Sequence, residues 1–140
     1  MTSEYSTVIK SFWLKSTLIN KQLNNSLSFV HGIGFSEYMV LNSLNESVNK
    51  TMTRIDLAES IGRTASGVTK MLLPMEKIGL IQKESGARDA RVSLVKISKA
   101  GERLFKDATV TLEQSSEKIL SGLSSKQATG LLGCLDSLNH

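Results

Sequence analysis

Two groups of residues in this 140-residue chain have the types and spacing to do chemistry. The first is Arg88-Asp89-Ala90-Arg91, two guanidinium groups around one carboxylate, close to Gly86. Arginine stays charged, binds anions through a planar fork and can enter a narrow groove of strong negative potential. A carboxylate beside it holds the guanidinium in one rotamer by charge-assisted bonding, which gives Asp89 an orienting role. The second group is Arg63, Thr64, Ser66, Gly67, Thr69 and Lys70. On a helix Ala65, Val68, Leu72 and Met75 would share one face, and these residues would lie off it. Hydroxyls suit base edges, Lys70 suits guanine or phosphate, and Gly67 permits a close backbone approach. Both groups are built for an anionic partner. The charge agrees: Lys50 to Lys106 holds twelve lysines and arginines against six carboxylates, while the whole chain has a net charge of +4. The flanks are slightly acidic. A solvated charged face is the bland reading of that pattern, and nucleic-acid binding is the specific one.

Other chemistries find no support. His31, His140 and Cys134 have no metal-ligand spacing, and no cofactor is expected. Gly32-Ile33-Gly34 lacks the preceding strand and third glycine of a dinucleotide site. No serine has a histidine and acid in a supporting pattern, so no enzyme is read here. Cys134, among Leu131, Leu132 and Leu135, is expected to be a buried thiol. Trp13 is expected in the core or in an interface, with the lining of an effector pocket as the alternative. A single cysteine fits a reducing compartment. Met1 to Lys10 does not read as a secretory leader, and no stretch reads as a membrane span. The expected location is the cytoplasm.

The elements that must position these groups follow from periodicity and punctuation. An amphipathic helix is expected from about Ser6 to Val30, ended by Gly32 and Gly34. Ser36 is expected to cap a second helix with Met39, Val40, Leu41 and Leu44. Asn45 to Thr51 reads as a polar loop. Thr53 and Asp56 open a short helix that Gly62 stops. Thr64 or Ala65 opens the next, which Gly79 ends. Leu80–Glu84 and Val92–Ile97 read as strands of a β-hairpin around the polar tip 85–91. Ser98 caps a long helix to about Ser121. Ser124 and Gln127 form a capping box for a last helix with Leu131, Leu132, Leu135 and Leu138. Ala58, Gly62 and Val68 have the spacing of a helix-turn-helix, with a small residue at the crossing, a glycine in the turn and an apolar inner face on the second helix.

The order and motifs resemble the MarR family of bacterial and archaeal regulators. Asp89-Ala90-Arg91 followed by Ile97-Ser98-Lys99-Ala100-Gly101 is similar to the family's wing signature, Asp-x-Arg and then Leu-Thr-x-x-Gly. Ile55 to Gly62 looks like the first helix of its DNA-binding motif, Ser66 to Lys70 like its recognition helix, and Met75 to Ile81 like its passage into the wing. The resemblance implies a homodimer, double-stranded DNA as partner, and a small effector, often anionic or aromatic, between the dimerisation region and the winged domain. Three positions depart from the pattern. Pro74 removes a donor to the Lys70 carbonyl and is expected to bend the helix. Leu73 replaces a usual polar residue and is expected to pack on a neighbouring element rather than touch DNA. Ala90 stands where an arginine is common.

The fold expected is α+β, mostly helical: a winged helix-turn-helix at 35–98, with a helical dimerisation region at 1–34 and 99–140. Leu131, Leu135 and Leu138 are assigned to the dimer interface, because the terminal helices are too apolar for one small wing domain to cover. The expected function is control of transcription by a repressor at a near-palindromic operator. The rival reading is a winged-helix dimer that binds other proteins and no DNA.

Overall fold

A computed structural model describes residues 3–85 and 93–138. The elements run α1 (Glu4–His31), α2 (Phe35–Glu46), β1 (Thr51–Thr53), α3 (Arg54–Ser60), α4 (Ala65–Lys77), β2 (Ile81–Ser85), β3 (Ser93–Ile97), α5 (Lys99–Ile119) and α6 (Ser125–Asp136). The class is α+β, mostly helical, with a winged helix-turn-helix at its centre.

Most boundaries are set by local capping chemistry. Ser3, Thr53, Thr64, Ser98 and Ser124 each accept a hydrogen bond from the backbone N–H three residues on. Each removes one of the unpaired donors at a helix start. Gln127 returns the bond to the Ser124 backbone at 2.9 Å and completes the capping box. Ser36 does not cap α2, contrary to expectation. The cap position is Gly34, and the first helical N–H, that of Phe35, donates to Asn24 Oδ1 of α1 at 2.7 Å. A side chain eleven residues upstream does the capping, which frees the Ser36 hydroxyl.

The sheet is antiparallel in the order β1-β3-β2, with Thr51 opposite Lys96 and Ile81 opposite Ile97. β1 was not expected: it begins at Thr51, the last residue of the expected loop, and runs to the cap residue Thr53. A 3-10 turn at Val48–Lys50 leads into it, with Asn49 and Lys50 both in the left-handed region at φ 57° and 58°. Asparagine tolerates that conformation and lysine less so. Lys50 is held from both sides. Its Nζ lies 2.8 Å from Glu102 Oε1 on α5 and 3.4 Å from Asn45 Oδ1. The hydrogen bond from Lys50 lowers the Glu102 pKa from its ordinary 4.5, and the nearby Lys50, Lys99 and Lys96 charges add to that.

The core gathers Leu27 of α1, Val40, Leu41 and Leu44 of α2, Leu57 and Ala58 of α3, Val68, Leu72 and Met75 of α4, Val95 and Ile97 of β3, and Ala108 of α5. α5 is braced against the first two helices. His31 Nε2 meets Thr111 Oγ1 and Tyr38 OH meets Thr109 Oγ1, both at 2.7 Å. The Tyr38 ring stacks between Phe35 and Phe105.

Gly101 explains the glycine of the wing signature. It is buried in the first turn of α5, and a Cβ there would lie 2.2 Å from the Leu80 carbonyl oxygen and 2.8 Å from Ile97 Cγ1. Only a residue without a side chain lets α5 start this close to the chain leaving α4.

The ends of the molecule are bare. α6 carries no buried residue, and Leu131, Leu132, Leu135 and Leu138 are exposed. Along the first half of α1, Tyr5, Val8, Ile9, Phe12, Trp13, Leu14 and Leu18 are exposed as well. One expectation is corrected here: Cys134 is exposed, not a buried thiol. Of the readings for Trp13, the core is excluded, because the ring is 65% exposed in the single chain. The cause is the same for both: the first half of α1 and the whole of α6 bury no side chain against the rest of the described chain. No helix among the described residues is long and apolar enough to cross a membrane.

Candidate nucleic-acid interface

α3 and α4 meet through a tight turn. Ala58, 4% exposed, sits at the crossing, and Gly62 takes φ 67°, a left-handed conformation that glycine adopts without penalty. The Arg63 N–H donates to the Ala58 carbonyl at 2.9 Å and closes the end of α3. Thr64 Oγ1 then accepts from the Gly67 N–H at 3.0 Å and opens α4. A Cβ at Gly67 would lie 3.1 Å from that hydroxyl oxygen. Gly67 therefore makes room for the cap, a local reason beside the close backbone approach inferred from sequence.

The inner face of α4 is Val68, Leu72 and Met75, all buried. Ala65, expected on that face, is exposed. On the outside, Thr64, Ser66, Thr69 and Lys70 are exposed, and so is Arg63 in the turn, while Gly67 is half-buried. The structure thus brings all six residues to one end of the motif. Thr69 Oγ1 donates back to the Ala65 carbonyl at 3.0 Å, so its hydroxyl faces solvent chiefly as an acceptor. Arg63 Nη2 donates to Ser36 Oγ, the hydroxyl that the Asn24 cap leaves free. That bond sets the guanidinium beside the N-terminus of α2, where backbone N–H groups favour an anion. Sequence reasoning misses this partner, because Ser36 and Arg63 are brought together only by the packing of α2 against α3. Beside them lies a cavity of about 280 Å³ lined by Phe35, Ser36, Met39, Ser60, Ile61 and Arg63.

Two departures noted in the sequence resolve as follows. α4 runs through Pro74 to Lys77, and the Ile78 N–H bonds the Pro74 carbonyl at 3.1 Å. Leu73 does not pack on a neighbouring element. It is 56% exposed, because it projects from the side of α4 opposite Leu72 and Met75.

β2 and β3 form the stem of the wing, paired from Ile81–Ile97 out to Ser85–Ser93. Arg88, Asp89 and Arg91, expected at the tip, lie outside the described residues. Among those described, no group of His, Cys, Asp and Glu is placed to hold a metal ion.

Residues 35–93, from the start of α2 to the start of β3, match the MarR family. Over that stretch the chain is similar to the MarR family. The match covers the helix-turn-helix and most of the wing, and solved structures carry the likeness over the flanking helices. A MarR family transcriptional regulator from Streptomyces coelicolor in complex with DNA is 20% identical, with a TM-score of 0.88 over 97% of this chain and 89% of that one. A mutant MarR from E. coli complexed with operator DNA is 17% identical, with a TM-score of 0.83 over 96% of this chain and 97% of that one. The transcriptional regulator BldR from Sulfolobus solfataricus is 18% identical, with a TM-score of 0.80 over 98% and 100%. At such identities the likeness is one of fold: it extends over α1, α5 and α6 of this chain as well as the winged helix-turn-helix.

Proposed function

We propose that this chain is a sequence-specific, DNA-binding transcriptional repressor that acts in the cytoplasm as a homodimer on a near-palindromic operator. The observation that carries the reading is the solvent face at the start of α4, where Thr64, Ser66, Thr69 and Lys70 are exposed beside Arg63. The DNA complexes of the two similarly folded regulators support it. Ser66, Thr69 and Lys70 contact base edges in the major groove, while Arg63 and the start of α2 contact a phosphate. Two such heads meet grooves about 34 Å apart, one turn of duplex. Ser66→Ala and Thr69→Ala should each change preference among operator variants by about 1–3 kcal/mol per lost base contact. The check is competitive binding to operators selected from random DNA. Unchanged preference in both folded variants would refute this placement. A chain that only binds other proteins would show no salt-sensitive DNA affinity in the same assay.

At the wing tip, Arg91 enters the minor groove and Asp89 holds it in place, with Arg88 as a second contact. Arg91→Ala should weaken binding to all sequences alike and make the salt slope shallower by about one unit per lost phosphate contact. Asp89→Ala should weaken binding too, although charge counting alone predicts the opposite. Titrations against one operator at several salt concentrations separate the two. Tighter binding by Asp89→Ala rules out the orienting role, and wild-type behaviour of Arg91→Ala rules out the wing contact.

A small anionic or aromatic effector occupies the cavity lined by Phe35 and Arg63, inside the winged region and not between it and the terminal helices; an anion there takes the guanidinium that would otherwise bind phosphate. Arg63→Ala should then weaken binding of an aromatic carboxylate such as benzoate, measured by calorimetry. Equal affinity in both proteins would contradict that location.

A further inference from the structure

We infer that Leu73 is a specificity-determining residue that reads the 5-methyl group of thymine in the major groove. The inference rests on the DNA-binding reading above. On α4, Ser66, Lys70, Leu73 and Lys77 fall at i, i+4, i+7 and i+11, a single stripe opposite the buried Val68, Leu72 and Met75. All four are exposed, so Leu73 stands between two lysines on the same side as the base-reading positions. One exposed leucine on a protein surface is ordinary. This one adjoins the exposed ring of Pro74, and the two share a shallow, open depression of about 710 Å³ with Glu76, Lys77 and Lys83. Glu76 lies 3.9 Å from Lys83 Nζ, so the carboxylate in the depression has a counter-charge beside it. What remains is an apolar centre in a cationic frame.

That combination has a specific complement. Lys70 reaches a base edge and Lys77 a backbone phosphate, so both charges are satisfied in the major groove. Within the groove the thymine methyl is the apolar group that a base edge presents, and apolar side chains recognise it by contact. A polar residue at this position would have to find a hydrogen-bond partner on a base edge or stay hydrated. Leucine instead gains by excluding water from the methyl. Leu73 therefore discriminates thymine from cytosine, and also from uracil, which has the same hydrogen-bonding edge without the methyl.

The test uses the full-length protein and an operator selected by it from random DNA. Each thymine is replaced in turn by deoxyuridine, and affinity is measured for wild type and for Leu73→Ala. Wild type should lose about fourfold at one thymine position of each half-site, the effect of one buried methyl. Leu73→Ala should bind the unmodified operator more weakly and be indifferent to deoxyuridine at that position. Its salt slope should match wild type, because no phosphate contact is removed. If wild type tolerates deoxyuridine everywhere, or if Leu73→Ala keeps the wild-type sensitivity, the inference fails and the DNA-binding reading stands. If the protein selects no sequence and shows no salt-sensitive binding, both fail.

Discussion

Leu135→Asp is expected to sediment as a monomer at micromolar concentration and to bind a two-half-site operator at least about 100-fold more weakly than wild type, because a monomer loses the gain from engaging two linked sites. The reason lies in the exposure of α6. Leu131, Leu135 and Leu138 recur at near-helical spacing and remain 44%, 39% and 55% exposed in the single chain. The apolar side of the first half of α1 is exposed as well, from Tyr5 to Leu18. Soluble monomers rarely carry contiguous apolar patches beyond a few hundred Å², so a second copy is the natural cover. An aspartate placed in that interface loses its hydration without gaining a partner, a cost of several kcal/mol. Because Leu135 makes no part of the core, the variant should keep the helical circular dichroism of the folded wing domain. Sedimentation velocity decides the question. A dimeric Leu135→Asp protein, or a wild type already monomeric at that concentration, overturns the assignment.

Gly101→Ala should have the largest effect on folding, lowering stability by about 3 kcal/mol or more and the melting temperature by about 10 °C. The added methyl would stand 2.2 Å from the Leu80 carbonyl oxygen. Backbone cannot rotate away as a side-chain end can. The same carbonyl accepts the Ser98 N–H at 3.0 Å, so moving it also disturbs that bond. Thermal unfolding of the two proteins at equal concentration checks this, and a melting point within about 2 °C of wild type would show that α5 can shift without cost.

Features that depend on near neighbours along the chain are legible in the amino-acid sequence. The caps at Thr53, Thr64, Ser98 and Ser124, the turn at Gly62 and the stop at Gly79 each involve residues within a few positions of one another, and all appear where expected. The outward placement of Ser66, Thr69 and Lys70 follows from the helical repeat alone. What the sequence hides depends on distance along the chain. Thr51-Met52-Thr53 is too short to show an alternating pattern, and it becomes a strand only by pairing with β3, some forty residues away. Ser36 has the residue type and position of a cap, but Asn24 takes that role from the preceding helix. Cys134 and Trp13 sit on apolar stretches, α6 and the first half of α1, that bury no side chain in the single chain, so periodicity implies burial that a single chain does not provide. An apolar residue such as Leu73 suggests packing, yet its direction depends on the phase of α4, which Val68, Leu72 and Met75 already set.

Ser98 joins three parts of the molecule. Its Oγ donates to the Gly79 carbonyl at the end of α4 and accepts the Gly101 N–H at the start of α5, while its own N–H bonds Leu80. The reading head and the 21-residue arm that follows it therefore share a weld and not a joint. Further along, the arm is pinned to α1 and α2 at Thr111 and Thr109. In the proposed dimer such a body behaves as a caliper: the opening of the jaws is set where the arms cross, far from the DNA. Recognition then divides into two independently heritable properties. Substitutions on α4 change which letters are read, and substitutions on α1 or α6 change the distance at which the two half-words must be written.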